Sequence, residues 1–411
     1  MEYVIIGNGI AGIHGAEAIR RYDPEGRITL VGDEAFPPYC RPMISMVLEG
    51  SASPAQLPVR GPEFYDALRI TPVLGRRVSG IDVDTRTLCL SGNGPEIPFD
   101  RLLIASGADP RPIQADGLDL DRIFYMRTEA HVRGMLAALP DVASALVLGG
   151  GLVGFKAAYG LLRRGIRVTQ LIRSEFPLSM QVDRTAGEMI LGELVRKGLD
   201  VRVGISAVGF FGRNGRVAGA RLSDGSELAC DMVVIGKGVV PALSFVPRDR
   251  IAVDLGVVVN EHMETSAPGI YAAGDAAEFI DIARKTRWVN AIWPEAVLQG
   301  RAAGANMAGL PVALKGSLSR NVIRIFGMDV MTGGWVNPPE DRGFEILTRV
   351  DRRRNAYRKL VLEGERLVGM VMVNDIDQGG LLVSLIQSET PLQLPHERLL
   401  TAGFNYRQLL N

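Results

Sequence analysis

Tyr3-Val4-Ile5-Ile6-Gly7-Asn8-Gly9-Ile10-Ala11-Gly12 is the stretch that decides the fold. A short apolar run stops at a glycine, two more glycines follow at the spacing GxGxxG, and an alanine-rich helical stretch runs from Ile13 to Tyr22. In such a turn the first glycine bends the chain, the second lets the backbone approach a pyrophosphate, and the third lets the helix pack closely on the strand. A second strand, Arg27 to Val31, comes next. Asp33-Glu34 lies just past its end, where the dinucleotide fold holds a ribose-binding carboxylate.

The pattern returns later in the chain. Ala145 to Leu148 leads into Gly149-Gly150-Gly151-Leu152-Val153-Gly154, followed by a helix through Arg164 and a strand from Val168 to Ile172. Each copy also has a later apolar strand that stops at glycine, Leu102 to Gly107 in the first and Met232 to Gly238 in the second. Two dinucleotide sites on one plan are therefore expected. Between them, Ser91-Gly92-Asn93-Gly94-Pro95 and Ser223-Asp224-Gly225-Ser226 predict small hairpin connections. From about residue 320 the texture changes. Tyr357 to Leu362 and Leu367 to Val373 read as strands and Leu381 to Ile386 as a helix, which predicts a separate C-terminal α+β domain. The expected fold class is α/β, with two Rossmann-like dinucleotide-binding domains and that C-terminal domain.

Composition narrows the function classes. The 411 residues carry 46 Lys plus Arg against 46 Asp plus Glu, so nothing in the charge balance suggests nucleic acid as a partner. No apolar stretch reaches the ~18 residues that would span a membrane, and the N-terminus has no basic leader, so a soluble, cytoplasmic protein without a membrane partner is expected. Cys40, Cys89 and Cys230 are far apart and form no CxxC, which argues against a disulfide framework and against a self-contained iron-sulfur or zinc site. Cys89 and Cys230 read as core residues in apolar strands. The four histidines, His14, His131, His262 and His396, show no metal spacing, and no metal is expected.

A third element separates the two ligands. Thr265-Ser266-Ala267-Pro268-Gly269-Ile270-Tyr271-Ala272-Ala273-Gly274-Asp275 resembles the flavin ribityl motif of two-dinucleotide flavoproteins, in which a strand delivers an Asp to the polyol chain of FAD. Asn290 to Gly300, with Trp293, resembles the flavin-facing helix start of the same proteins, where a helix N-terminus can stabilise negative charge. Along nearly its full length the chain resembles the pyridine nucleotide-disulfide oxidoreductase superfamily. It is most similar to its rubredoxin and ferredoxin reductases and the flavin module of assimilatory nitrite reductase. Pro37 to Ser45 looks like that branch's YxRPxLS element. The resemblance implies FAD contacts from Gly7, Gly9, Gly12, Asp33, Arg41, Pro42, Gly107, Gly274, Asp275 and Trp293. It implies NAD(P) contacts from Gly149, Gly151, Gly154 and Gly238, with Lys156 and Arg173 beside them. It also implies an FAD domain of residues 1–112 and 242–318, an NAD(P) domain of 113–241 and an interface domain of 319–411.

The implied activity is hydride transfer from NAD(P)H to flavin N5 and single-electron delivery to an iron-sulfur carrier or subunit on another polypeptide. The chain would work as an oligomer or within a hetero-complex, in either direction of electron flow, and no catalytic side chain is required. The chain departs from the family pattern at three places. Lys156 stands where the family carries Glu, Ile172-Arg173 where it carries a ribose-binding carboxylate, and Gly236-Lys237-Gly238 where it carries Ala-Thr-Gly. Arg173 would suit a 2′-phosphate or be a solvated surface cation, while the resemblance alone favours NAD. Two alternatives stay open: a thiol-disulfide reductase or oxidase using Cys40, and a scaffold subunit that holds flavin without turnover. Asp351-Arg352-Arg353-Arg354 reads as a polar turn or as a docking patch for an acidic partner.

Overall fold

A computed structural model describes residues 1–92, 94–401 and 403–409. The chain packs into two units, one of Met1–Cys40, Pro58–Asp109 and Val240–Ser319, the other of Arg41–Leu57, Pro110–Val239 and Arg320–Asn411.

The first unit is built on a five-stranded parallel sheet. Its order is Ile270–Ala272, Arg101–Ile104, Glu2–Ile6, Arg27–Gly32 and Ile70–Leu74. Near-continuous apolar runs make these strands because both faces are covered, and Ile5, Leu30, Leu102 and Leu103 are fully buried. The chain runs outward from Glu2–Ile6 in one direction and returns on its other side, so the first glycine turn leaves the sheet where the strand order reverses. That is the ligand-binding position of open α/β sheets. The helix Ile10–Tyr22 starts three residues before the apolar pattern suggests, because the glycine turn itself supplies its first turn. It crosses the helix Trp293–Met307 at backbone contact distance. A Cβ on Gly300 would lie 2.3 Å from the Ala11 carbonyl oxygen, and one on Gly304 would lie 2.3 Å from that of Gly15.

The second unit repeats the plan. Its parallel sheet runs Asp200–Val203, Arg167–Ile172, Ser144–Leu148, Met232–Ile235 and Ile123–Tyr125. The predicted hairpin at Asp224-Gly225 joins Arg216–Leu222 to Glu227–Ala229. In the first unit, Thr87–Leu90 pairs with Ile97–Pro98 across the other predicted turn, of which Asn93 lies outside the described residues.

A five-stranded antiparallel sheet completes the second unit, in the order Arg320–Ile325, Met328–Gly334, Arg366–Val373, Ala356–Glu363 and Glu345–Asp351, with the helix Gly379–Ser388 packed on it. Asp351 to Arg354 form an exposed turn of this sheet, in which the Asp351 carboxylate accepts the backbone N–H groups of Arg353 and Arg354. The strand Ala356–Glu363 carries two buried cations on opposite faces, each matched to a carboxylate. Arg358 donates to Asp375 Oδ2 at 3.0 Å, Gln378 Oε1 at 2.6 Å and the Leu399 carbonyl at 3.0 Å. Lys359 Nζ lies 3.6 Å from Asp183 Oδ2, which also accepts the Tyr357 hydroxyl at 2.6 Å. Asp183 is at the same time the N-cap of the helix Arg184–Arg196, accepting from Ala186 N. One carboxylate thus ties this nucleotide-type helix to the C-terminal sheet.

Two expectations need correction. Cys89 is half-buried: in the strand Thr87–Leu90 its side chain alternates against Leu88 and Leu90, which take the inward face. Cys230 is buried but lies just before the strand Met232–Ile235, outside any strand. Among the described residues no helix is long and apolar enough to cross a membrane.

Candidate functional site

The first glycine turn is shaped by backbone clearance. Gly7 has φ +116°, and a Cβ there would sit 2.0 Å from the Ala105 carbonyl oxygen, so no other residue fits. A Cβ on Gly12 would sit 2.0 Å from the Gly7 oxygen, which is the close helix-to-turn packing expected of the third glycine. Gly9 differs, because among the described residues nothing beyond its chain neighbours lies within 4 Å of the position its Cβ would take. The helix Ile10–Tyr22 begins there with no side-chain cap and no acidic residue in its first turn, so no side chain of the helix start satisfies its first N–H groups. Beside the turn is a hollow of about 450 Å³ lined by Gly7, Asp33, Arg77, Val78, Ser106 and Phe245 among others. Asp33 is exposed and has no hydrogen-bond or ionic partner among the described residues, whereas Glu34 accepts from the Tyr39 hydroxyl at 2.9 Å. Of the two carboxylates, Asp33 is the one without a side-chain partner among the described residues. Gly107, at φ +73°, follows Ser106 on the same rim.

The strand Ile270–Ala272 delivers the Gly274-Asp275 turn to the same region. Gly274 N donates to Gln299 Oε1 at 2.8 Å, and a Cβ on Gly274 would lie 3.0 Å from Ala11 Cβ and 3.5 Å from Ala296 Cβ. The Asp275 turn therefore sits against the first turns of both Ile10–Tyr22 and Trp293–Met307. Trp293, half-buried, opens the latter helix, with Pro294 in its first turn. Gly7, Gly9, Gly12, Asp33, Gly107, Gly274, Asp275 and Trp293 all belong to this one unit.

The second turn reproduces the first almost position by position. Gly149 has φ +118° and a Cβ clearance of 2.3 Å to the Gly236 oxygen, Gly154 has 2.2 Å to the Gly149 oxygen, and Gly151 again faces open space. The helix Leu152–Arg163 starts at Gly151 without a side-chain cap or an acidic first turn. Gln170, fully buried, donates to the Gly149 oxygen at 2.7 Å and so fixes the turn from the neighbouring strand. The sequence reading passed over it, although an amide inside the run Val168 to Ile172 is itself the signal, since a buried amide needs a partner. Around this turn stand cations. Arg173 is exposed, Lys156 is half-buried and engaged, and Lys237 is half-buried with its ammonium pKa pushed down, first by burial and then by the charge of Arg173. Gly238, at φ +89°, is open on its Cβ side. Arg41 and Pro42 also belong to the second unit, where Arg41 donates to the Arg127 carbonyl at 2.7 Å and the Pro42 carbonyl accepts from Ser45 Oγ at 3.1 Å.

The cysteines and histidines have assignable surroundings. Cys40 is half-buried and in no disulfide. Burial pushes the Cys230 thiol up to about 12, with the Asp231 charge adding to the effect. Cys230 should accordingly resist iodoacetamide at pH 8 in the folded protein and react once urea unfolds it. Native labelling as fast as that of a free thiol would contradict this burial. His14 Nδ1 lies 2.8 Å from Glu17. Burial would raise the Glu17 carboxyl, but hydrogen bonds from His14 and Arg60 outweigh it and hold the pKa at about 2. His131 Nδ1 accepts the N–H groups of Arg127 and Thr128, His262 meets the Val312 carbonyl, and His396 meets Glu345. Among the described residues no group of His, Cys, Asp and Glu could hold a metal ion.

Known proteins resemble this chain in sequence and fold. Residues 1–300 match the family described as pyridine nucleotide-disulphide oxidoreductase, and residues 320–390 match the rubredoxin NAD+ reductase C-terminal domain. The chain is 30% identical over 393 residues to nitrite reductase [NAD(P)H] of Bacillus subtilis (strain 168), covering 95% of this chain but 48% of that protein, so it spans about half of that relative. It is also 30% identical to the NADH-dependent phenylglyoxylate dehydrogenase subunit epsilon of Aromatoleum evansii, covering 95% of this chain and 92% of the subunit. Among solved structures, the covalent putidaredoxin reductase–putidaredoxin complex superposes with a TM-score of 0.87 at 26% identity, covering 95% of this chain and 94% of that one.

Proposed function

Because the chain belongs to the pyridine nucleotide-disulphide oxidoreductase family and is an oxidoreductase of its ferredoxin and rubredoxin reductase type, we propose that it binds FAD at the first glycine turn and NAD(P)H at the second. Its electrons would pass to an iron-sulfur protein or subunit. The domains of this reading are 1–112 with 242–318 for FAD, 113–241 for NAD(P), and 319–411 for the interface.

The observation that carries it is the duplicated clearance at Gly9 and Gly151. In both turns the middle glycine alone faces empty space, at the start of an uncapped helix, while its two neighbours are pressed against backbone. That is a cradle for a pyrophosphate, whose charge the helix N–H groups and dipole stabilise. In the first unit Asp33 would accept from the ribose and the Gly274-Asp275 turn would hold the polyol chain. Bound there, flavin supplies two-electron acceptance from a nicotinamide and one-electron release to a carrier. The chain's own residues bind and orient. Near-full coverage of a dehydrogenase subunit favours work as one subunit of a larger oxidoreductase.

The purified protein should be yellow, release FAD on acid denaturation, and lose flavin absorbance under anaerobic titration with NADPH or NADH. FMN or no flavin in the released fraction would sink the first assignment. Retained flavin that neither nucleotide bleaches would sink the second.

A further inference from the structure

We propose that the second glycine turn selects a nicotinamide nucleotide carrying a 2′-phosphate, and that Arg173 is the residue that meets this phosphate. The inference rests on the reading that this turn holds a nicotinamide nucleotide.

The strand Arg167–Ile172 lies beside Ser144–Leu148 in parallel register, Leu148 opposite Leu171. Its C-terminal end is where this fold brings the adenosine ribose. NAD is held at such an end by a carboxylate accepting the 2′-hydroxyl. Here the end is Ile172, 1% exposed, whose Cγ2 lies 2.5 Å from the position of a Cβ on Gly150. A hydrocarbon wedged against the turn offers a hydroxyl no partner, and leaving a polar group unpaired there is costly. Glu175, the next carboxylate along the chain, is occupied, since Arg184 pairs with it while also lying 3.7 Å from Glu188.

What the strand ends present instead is positive charge. Arg173 has neither a hydrogen bond nor a carboxylate partner among the described residues. Its charge reaches Lys237, at the end of the strand across the turn, and adds to the cost of keeping that half-buried ammonium charged. Two opposing cations, neither with a carboxylate partner among the described residues, are a poor arrangement for an empty surface. They become a favourable one when a ligand brings in charge beyond its pyrophosphate. A 2′-phosphate contributes about two negative charges and three acceptor oxygens, and guanidinium takes such a group bidentately. The helix Leu152–Arg163 adds no acidic residue in its first turn that would oppose it.

Binding of NADP+ and NAD+ to the FAD-loaded protein, measured by calorimetry so that no turnover is needed, tests this. NADP+ should bind about tenfold or more tightly at low salt, the worth of one charge-assisted contact. That advantage should shrink as salt rises, because Arg173 is exposed. Arg173→Gln should bring the two affinities within about threefold of each other, the remaining contacts being common to both nucleotides. Equal or tighter NAD+ binding, or an Arg173→Gln protein that keeps the wild-type ratio, overturns the selectivity and leaves the nucleotide site standing. Binding of neither nucleotide overturns the site itself, and the selectivity with it.

Discussion

The Gly9→Val chain folds and purifies colourless. Gly9 has φ −89° and ψ −174°, an extended conformation that valine adopts without strain, and among the described residues nothing beyond its chain neighbours lies within 4 Å of where its Cβ would be. The fold should lose less than about 0.5 kcal/mol, as at an exposed position away from contacts. The isopropyl group would instead stand in the space over the first N–H groups of Ile10–Tyr22. Displacing a pyrophosphate from two charge-assisted hydrogen bonds costs about 3 kcal/mol or more, over a hundredfold in affinity. Flavin absorbance of the purified variant and thermal unfolding of both apoproteins check the two halves. A Gly9→Val protein with a full complement of FAD would mean that the pyrophosphate lies elsewhere.

Gly304→Val has the opposite signature, with the loss falling on stability. A Cβ there meets the Gly15 oxygen at 2.3 Å and Ala18 Cβ at 2.9 Å, both parts of the facing helix that no rotamer change can move. The two helices must separate, and overpacking of this kind costs about 3 kcal/mol. Because Ala11 and Ala296, in the first turns of the same pair, flank Gly274, the shift should also loosen the Asp275 turn and speed flavin release. Urea unfolding of the apoprotein measures the first effect and flavin dissociation the second. An unchanged urea midpoint would show that the crossing has more room than the backbone distances imply.

The central strands of both parallel sheets and both glycine turns were legible in the sequence because they depend on chemistry a few residues long, whereas the edge strands Ile70–Leu74, Asp200–Val203 and Ile123–Tyr125 were not. An apolar run, a bend that tolerates no Cβ and an alanine-rich helix act at short range. The Asp33 rim was legible for the same reason, since its position follows from the end of one strand. The hollow was not. Val78 and Phe245 reach it from segments more than a hundred residues apart, and only the closed fold brings them to Gly7. Cys89 was misread because a short strand with apolar neighbours on both sides does not reveal which face turns inward. Gln170 could have been found, and it shows that a polar exception inside an apolar strand deserves as much weight as the pattern it interrupts. Arg41 and Pro42 were assigned by motif alone, and their packing with the second unit is a tertiary fact that no local signal carries.

The triple duty of Asp183 bears on how such chains can be recombined. A module that can be exchanged between proteins must meet its neighbours through surfaces that either side can do without. The C-terminal sheet fails this condition, because Lys359 and Tyr357 lie buried on it, and the helix start at Asp183 supplies the counter-charge of the ammonium and the acceptor of the hydroxyl. Grafted onto a nucleotide-binding half without an acid at that place, the sheet would bring a buried ammonium with nothing to neutralise it, an uncompensated charge that costs several kcal/mol. Any chimera should therefore place its junction so that Asp183 travels with the sheet.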